Sequence, residues 1–289
     1  MTYGLGKMIQ RSSLDRLDPA GLAAWNEATM RLAVAGDGTS IGSALAAALK
    51  VIVDFEAIFV ASLHRDAPPT VAYFTGTREP GQRYSEGPYL LDPFYTHYLK
   101  GGADGCYRLS DLAPDGFRSS EYFSSYYRHL EIGDELGLLA LMGAESCAHI
   151  SVIRRPGAAR FTRQDCAWFS AAKPLASEAM RRVNATVAPP ADASAVHQSL
   201  RRAYHNFGSS ILTEREREVT QMLLRGNSAK SIARGLHIAT DTARNHLKHI
   251  YSKLGVASQA ELFALFFRVL ERVEPGCDGD PIARLKALE

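Results

Sequence analysis

The sequence predicts an α+β domain, with an antiparallel sheet and flanking helices, followed by a separate all-α domain of four short helices. Three observations carry this prediction. Short β-type runs alternate with helical periodicity through the first two thirds of the chain, a small Pro-bearing stretch without periodicity follows, and four compact helical segments come next. With 289 residues, 46% hydrophobic and 22% charged, the chain is long enough for two folded domains.

The first part of the chain opens with two predicted helices. Pro19 suits a first helical turn, and an Ala-rich segment forms the second helix. Thr162 is placed to cap a long helix that ends near Val183. In chain order we expect helices at 19–35 and 41–53, strands at 55–64 and 70–74, helical stretches at 88–99 and 119–130, an extended segment at 106–109, strands at 135–142 and 147–154, and the helix at 162–183.

The best linker lies at residues 185–194, where small residues and two prolines interrupt all periodicity. A connecting helix is predicted at 195–207. We therefore divide the chain into an α+β domain at 1–184, a linker at 185–208, a helical domain at 209–273 and a C-terminal tail, with a short helix, at 274–289.

Charge and cysteine usage narrow the class of protein. Residues 209–273 hold ten Lys/Arg and six Asp/Glu, a balance of +4 in a chain whose net charge is +2. The four cysteines form no C-x-x-C pair, so we expect neither a disulfide framework nor a metal site, and no cofactor is expected. No signal-like or membrane-spanning segment is recognised, so a cytoplasmic location without membrane association is expected.

The four C-terminal segments have the pattern of a DNA-reading helix-turn-helix. Helices are predicted at 214–224, 228–236, 240–254 and 258–269, with Thr213 capping the first. The third helix buries apolar residues at spacings of four, three and four, which leaves one polar face outward. Arg and Lys on such a face can donate to guanine and Asn can pair with adenine, while neighbouring groups hold phosphates. The predicted DNA-binding residues are Lys230, Ser231, Thr240, Thr242, Arg244, Asn245, Lys248, His249 and Lys253.

This stretch resembles the LuxR/GerE-type helix-turn-helix family over about residues 212–265. The matching motifs are Leu-Thr-x-Arg-Glu-x-Glu-Val from Leu212, Ser-x-Lys-x-Ile-Ala from Ser228, Thr-x-Arg-Asn-His-Leu from Thr242, Ile-Tyr-x-Lys-Leu-Gly-Val from Ile250, and Ala-Glu-Leu from Ala260. The resemblance implies a transcription regulator whose third helix enters the major groove of double-stranded operator DNA. Arg244, Asn245 and Lys248 would read bases.

The resemblance also implies a homodimer formed through the fourth helix, with Gln259, Glu261, Leu262 and Leu265 in the implied contact. RNA polymerase would be a further partner if the protein is an activator. The chain departs from the family in three places. His237 stands where the family has Gly in the turn, Ala239 replaces a Ser cap so that Thr240 is expected to cap instead, and Ala243 replaces Val.

The region from residue 84 to 127 contains eleven of the chain's 24 Tyr and Phe residues, with carboxylates interspersed. Ligand pockets are mostly apolar and aromatic with a few placed polar groups, and an aromatic box with a carboxylate suits a cation. This composition predicts a small-molecule effector site, for a cationic amine or another small metabolite. Its predicted residues are Tyr84, Tyr89, Asp92, Tyr95, Tyr122, Tyr126 and Glu135.

The order of predicted elements is similar to that of GAF and PAS sensor domains, which implies no particular ligand. The segment around Asp92-Pro93 resembles part of acyl-homoserine-lactone-binding domains. Those domains use pocket tryptophans, whereas Trp25 and Trp168 are both far from Asp92 in sequence.

Three functions remain open at this point. The main hypothesis is a ligand-controlled dimeric DNA-binding regulator. The alternative is a DNA-binding regulator whose N-terminal domain binds a protein partner and no small ligand. An enzyme is disfavoured, because the sequence contains no nucleophile elbow or other catalytic spacing, and no catalytic residue is assigned.

Overall fold

The computed structural model describes residues 18–75, 84–128, 130–186, 193–274, 276 and 278–288. Residues 1–17, the centre of the predicted linker (187–192) and Cys277 lie outside the described residues. Within the described part no helix is long and apolar enough to cross a bilayer.

A five-stranded antiparallel sheet forms the centre of the N-terminal part, in the strand order β2-β1-β5-β4-β3. The predicted α+β class is therefore confirmed. Every predicted strand is present to within two residues, because each alternating or buried apolar run pairs with a neighbour. The strands are β1 Ala57–His64, β2 Thr70–Phe74, β3 Gly105–Arg108, β4 Asp134–Leu141 and β5 Ser146–Arg154.

Two layers of helices cover this sheet. One face packs against the helices at the start and end of the domain, through a core that includes Leu45, Ile150, Phe169 and Met180. The other face lies under the aromatic-rich insertion, whose core continues into the C-terminal helices. The helices of the N-terminal part are α1 Pro19–Val34, α2 Gly38–Ile52, α3 Pro93–Leu99, α4 Leu109–Leu112, α5 Arg163–Ala171 and α6 Lys173–Thr186.

Two helix predictions are corrected in part. The long helix predicted at 162–183 begins after its Thr162 cap but breaks at Ala172, because Pro174 lacks the N–H of a continuous helix. The stretches expected at 88–99 and 119–130 are shorter and irregular. A 3-10 turn at Pro88–Leu91 ends at Asp92, which caps α3, and Phe123–Tyr127 is a single π-helical turn.

The C-terminal part is helical, as predicted. A connecting helix leads into the four helices of the module, and a last helix follows the fourth. Their bounds are α7 Ala193–Asn206, α8 Glu214–Leu224, α9 Ala229–Gly235, α10 Thr240–Leu254, α11 Gln259–Leu270 and α12 Pro281–Leu288.

Local chemistry explains two features of this module. Thr213 and Glu216 form a capping box, and the Glu216 carboxylate also pairs with Lys253 of α10 at 2.7 Å, which ties α8 to α10. His237 has a φ of +55°, so the turn does use the left-handed conformation for which Gly is the ordinary residue. The expectation that Thr240 caps α10 is wrong, because Ala239 holds the cap position and Thr240 is already helical.

Candidate nucleic-acid interface and aromatic cluster

The outward face of α10 is polar and exposed. Its inner face packs on the core of the module through Ala243, Ile250 and Leu254, which are at most 6% exposed. On its outer side Asn245, Lys248 and His249 are exposed, and among the described residues none of the three has a hydrogen-bond or ion-pair partner. These side chains are therefore available to a ligand that approaches along the helix. A helix of 15 residues is about 22 Å long, enough to lie in a major groove.

The other predicted DNA-binding residues surround this face, and some already have partners. Arg244 pairs with Asp241 of the same helix at 2.9 Å and remains largely exposed. Ser231 donates to Asn227, and Lys253 is paired with the buried Glu216. The three remaining predicted residues lie near the helix starts. Exposed Lys230 is in the first turn of α9, and half-buried Thr240 and exposed Thr242 are in the first turn of α10.

All seven residues of the predicted effector site form one connected cluster over the sheet. We call this set, Tyr84, Tyr89, Asp92, Tyr95, Tyr122, Tyr126 and Glu135, the aromatic cluster. Ring centroids lie 5.0 Å apart for Tyr89 and Tyr95 and 5.6 Å apart for the stacked pair Tyr122 and Tyr126. Six of the seven are at most 5% exposed, and Tyr126 is half-buried.

Asp92 is the carboxylate around which the cluster is organised. It accepts a hydrogen bond from the Tyr84 hydroxyl at 2.8 Å and another from the backbone N–H of Phe94 at 2.6 Å. Burial raises the pKa of Asp92 to about 6, although these hydrogen bonds favour its charged form. Asp92 is thus both the cap of α3 and a buried acid.

Glu135 provides a second buried acid in the same cluster. Burial, and next the charge of Asp92, raise the pKa of Glu135 to about 8. One of its oxygens, Oε2, has no hydrogen-bond partner among the described residues, and the same holds for the Tyr122 hydroxyl. Buried polar atoms are normally paired, so these two unpartnered atoms beside two buried acids are exceptions to that rule.

Sequence reasoning missed His149 and Ser151, which lie next to this cluster. His149 Nε2 is 2.9 Å from the Ser151 hydroxyl, while its Nδ1 has no partner among the described residues. Burial lowers the pKa of His149 to about 3, so the ring is neutral at pH 7. The available signal was the alternation along β5, which puts residues 149 and 151 on one face of the sheet.

Glu135 makes the stability of the fold dependent on pH. Its folded pKa, about 8, lies above the ordinary 4.5, so the folded chain holds a proton that the unfolded chain releases. Stability should therefore decline as pH rises from about 5 to 8. Glu135→Gln is expected to remove that decline, at most about 1.4 kcal/mol per pH unit, as measured by urea unfolding at several pH values. The control is Glu145→Gln, an exposed carboxylate. Parallel declines in wild type and Glu135→Gln would contradict the assignment.

The aromatic cluster is joined to the connecting helix α7 through His197. Its Nε2 lies 3.0 Å from the Arg65 carbonyl, which only accepts, so Nε2 carries the hydrogen. Burial lowers the pKa of His197 to about 4, and the neutral ring then accepts from the Tyr89 hydroxyl through Nδ1 at 2.8 Å. Tyr89 thus links the cluster to the helix that enters the DNA-binding module.

A second contact joins the N-terminal part to the start of α9. The Asp115 carboxylate accepts from the backbone N–H of Ser228 at 3.1 Å and from its hydroxyl at 2.7 Å. The backbones approach closely here, since a Cβ on Gly116 would lie 2.8 Å from the Gly226 carbonyl oxygen. We call this contact the α9 latch. It puts the Asp115 carboxylate at the N-terminal end of α9, the helix that carries Lys230 and Ser231.

The residues implied for dimerisation are used within the chain. Leu262 and Leu265 are 0% and 7% exposed, in the core to which α7 and α12 contribute. Gln259 donates to the Leu223 carbonyl, and Glu261 accepts from the backbone N–H of Ala257. On the outward side of α11, exposed Ala260 and Ala264 and half-buried Phe267 form an apolar stripe, which exposed Glu261 and Arg268 flank.

Comparison with known proteins agrees with this architecture. The family model of bacterial regulatory proteins of the luxR family (GerE) matches residues 210–266. The chain is 38% identical over 61 residues to the spore germination protein GerE of Bacillus subtilis and covers 82% of that protein. It is 28% identical over 188 residues to a putative HTH-type transcriptional regulator in the exeN 3′ region of Aeromonas salmonicida, covering 62% of this chain and 94% of the relative. By contrast, the chain spans 7% of the length of a putative regulator from Mycobacterium bovis.

Among solved structures, the VqsR LBD domain from Pseudomonas aeruginosa has a similar fold. The TM-score is 0.50 at 24% identity, and the match covers 57% of this chain and 99% of that one. At this identity the likeness concerns the fold alone.

Proposed function

The chain belongs to the LuxR family of bacterial regulatory proteins, and from that premise we propose that it is a transcription regulator controlled by a small molecule in the aromatic cluster. Its α10 would enter the major groove of operator DNA. The observation that carries the DNA-reading part is the exposed polar face of α10, inside a module that matches the family model.

In this proposal the residues divide into base readers and phosphate holders. Arg244, Asn245 and Lys248 point outward from the middle of α10 and have the chemistry to recognise bases. Positioning on the backbone falls to Lys230, Ser231, Thr240, Thr242, His249 and Lys253. The Lys253 amine is already in an ion pair with Glu216, so it would contact Glu216 and a phosphate at the same time.

The effector is proposed to be a cationic amine. Two buried acids, Asp92 and Glu135, lie among tyrosine rings, and the Glu135 Oε2 and Tyr122 hydroxyl lack partners among the described residues. An ammonium group would donate to these atoms and be stabilised by the ring faces. The cluster is closely packed, so binding would require the insertion around Phe123–Tyr127 to move, and an irregular π-helical turn suits such a movement.

Control would act through the docking of the DNA-binding module (residues 209–273) on the ligand-sensing N-terminal domain (residues 1–184), which we call the sensor domain. In the docked arrangement the α9 latch places Asp115 where a phosphate would approach, and like charges repel. Effector binding would shift Tyr89, and with it His197 and α7, and so change the balance between docked and free modules. The proposed domain bounds remain 1–184, 185–208, 209–273 and 274–289.

We propose a homodimer on DNA, with RNA polymerase as a partner if the protein activates. The stripe of Ala260, Ala264 and Phe267 on α11 faces the sensor domain in the docked arrangement. A second copy would therefore reach it only after the module is released.

The test is a thermal-shift screen of the full chain against a panel of biogenic amines and their neutral isosteres, repeated with Asp92→Asn. We expect at least one amine to stabilise the wild-type chain and to lose about tenfold in affinity with Asp92→Asn, since a buried charge-assisted bond is removed. A panel without any response, together with capture of a protein partner by the N-terminal part, would favour the alternative regulator that binds no small ligand.

A further inference from the structure

A groove separates the sensor domain from α11 and has a volume of about 570 Å³. One wall is the outward stripe of α11, with Ala260, Ala264 and Phe267. The opposite wall comes from the insertion of the sensor domain, with Pro88 and half-buried Tyr126. The groove thus exists only while the two domains are docked.

The groove has an acidic rim on apolar walls. Glu86 and Glu121 stand on the sensor-domain side and Glu271 on the α11 side. In the part of the chain that the structure describes, none of these three carboxylates is in an ion pair. Three carboxylates without an ion-pair partner among the described residues, set around apolar and aromatic walls, favour a cation that also carries an apolar body.

The size of the groove selects the kind of occupant. Small-molecule sites range from about 300 to 1,000 Å³, and the groove lies within that range.

Two contacts hold the two domains together. Beside the groove, Gly87 has a φ of +147° and a Cβ there would lie 3.0 Å from Leu270 Cδ1. Elsewhere in the interface, the α9 latch joins Asp115 to Ser228. An occupant that contacts both walls would add to these contacts and so favour the docked arrangement.

We propose that this interdomain groove is a second ligand site, which takes a small organic cation with an apolar body and holds the module docked. Its occupant opposes DNA binding, because the docked module presents Asp115 at the phosphate-contacting end of α9. The groove shares Tyr126 with the aromatic cluster but contains neither Asp92 nor Glu135 among its lining residues, and its effect on DNA rests on the docking model of the proposed function.

The experiment uses the full chain and two probes, phenethylammonium and its neutral isostere 2-phenylethanol, with binding measured by calorimetry. We expect the cation to bind at least tenfold more tightly than the alcohol. Glu271→Gln should weaken cation binding about fivefold, as one partly exposed charge of the rim is lost. Ala264→Trp should abolish binding by filling the groove, and Glu145→Gln, a carboxylate on the turn between β4 and β5, should bind like wild type.

Other outcomes overturn the inference in distinguishable ways. Cation binding that survives in Glu271→Gln and Ala264→Trp but is lost in Asp92→Asn would place the cation in the aromatic cluster, and the proposed function would stand without the groove site. No cation binding, with a dimer in sedimentation that Ala264→Trp dissociates, would assign the stripe to a second copy. Cation binding in the groove that leaves DNA affinity unchanged would overturn the inhibitory role.

Discussion

Replacing Asn245 by alanine is expected to lower the affinity of the chain for its operator by about 10- to 100-fold, or about 1–3 kcal/mol. Asn245 is exposed on α10 and has no partner among the described residues, so the loss would come from DNA contacts and leave the fold intact. Fluorescence anisotropy with operator duplexes that differ at single positions measures the effect. The variant should lose discrimination only at the base pair that Asn245 reads.

Lys230→Ala provides the contrast to this variant. A residue that holds phosphate should weaken binding to all duplexes alike and reduce the slope of log affinity against log salt by about one. Equal discrimination among duplexes by wild type and Asn245→Ala would contradict the assignment of α10 as the reading helix.

Replacing Asp115 by alanine is expected to raise DNA affinity about tenfold. The substitution removes two hydrogen bonds to Ser228, each contributing about 0.5–1.5 kcal/mol, and with them a negative charge from the phosphate-contacting end of α9. Burial acts to raise the pKa of Asp115, but the hydrogen bonds from Ser228 outweigh it and keep the pKa below its ordinary value. The carboxylate is therefore charged at neutral pH and repels DNA.

Asp111→Ala is the matched control for the latch. Asp111 is a carboxylate of the same stretch, but it pairs with Arg108 inside the sensor domain. The Asp111→Ala variant should bind DNA with the same affinity as wild type. If Asp115→Ala binds DNA no better than Asp111→Ala, the latch does not restrain the module.

The module that reads DNA was the part most fully predictable from the sequence. Its caps and apolar spacings are local, so Thr213, Ser228 and the 4-3-4 pattern from Ala243 to Leu254 fix the helices without knowledge of distant contacts. The sequence predicts Thr240 as the cap of the third helix, because threonine has a capping side chain. The turn at His237 instead places Ala239 at the cap position, so that Thr240 is the first helical residue.

The residues that form the aromatic cluster were predictable from the sequence, whereas the contacts that these residues make were less so. Density of Tyr and Phe indicated that residues 84–127 meet, and Asp92 and Glu135 were named among them. The roles of His197 and Asp115 depend on contacts between residues far apart in the chain, so no local pattern indicates them. Interdomain contacts of this kind follow only from the tertiary arrangement.

The central claim is that one chain joins sequence-specific DNA reading to control by a small molecule. The most direct measurement selects duplexes from a random pool with the full chain and then determines their dissociation constant with and without each amine of the panel. The account predicts specific binding that changes at least fivefold with one amine, and a change that is lost in Asp92→Asn. Specific binding that no amine alters would contradict the control, and binding that ignores sequence would contradict the DNA-reading role itself.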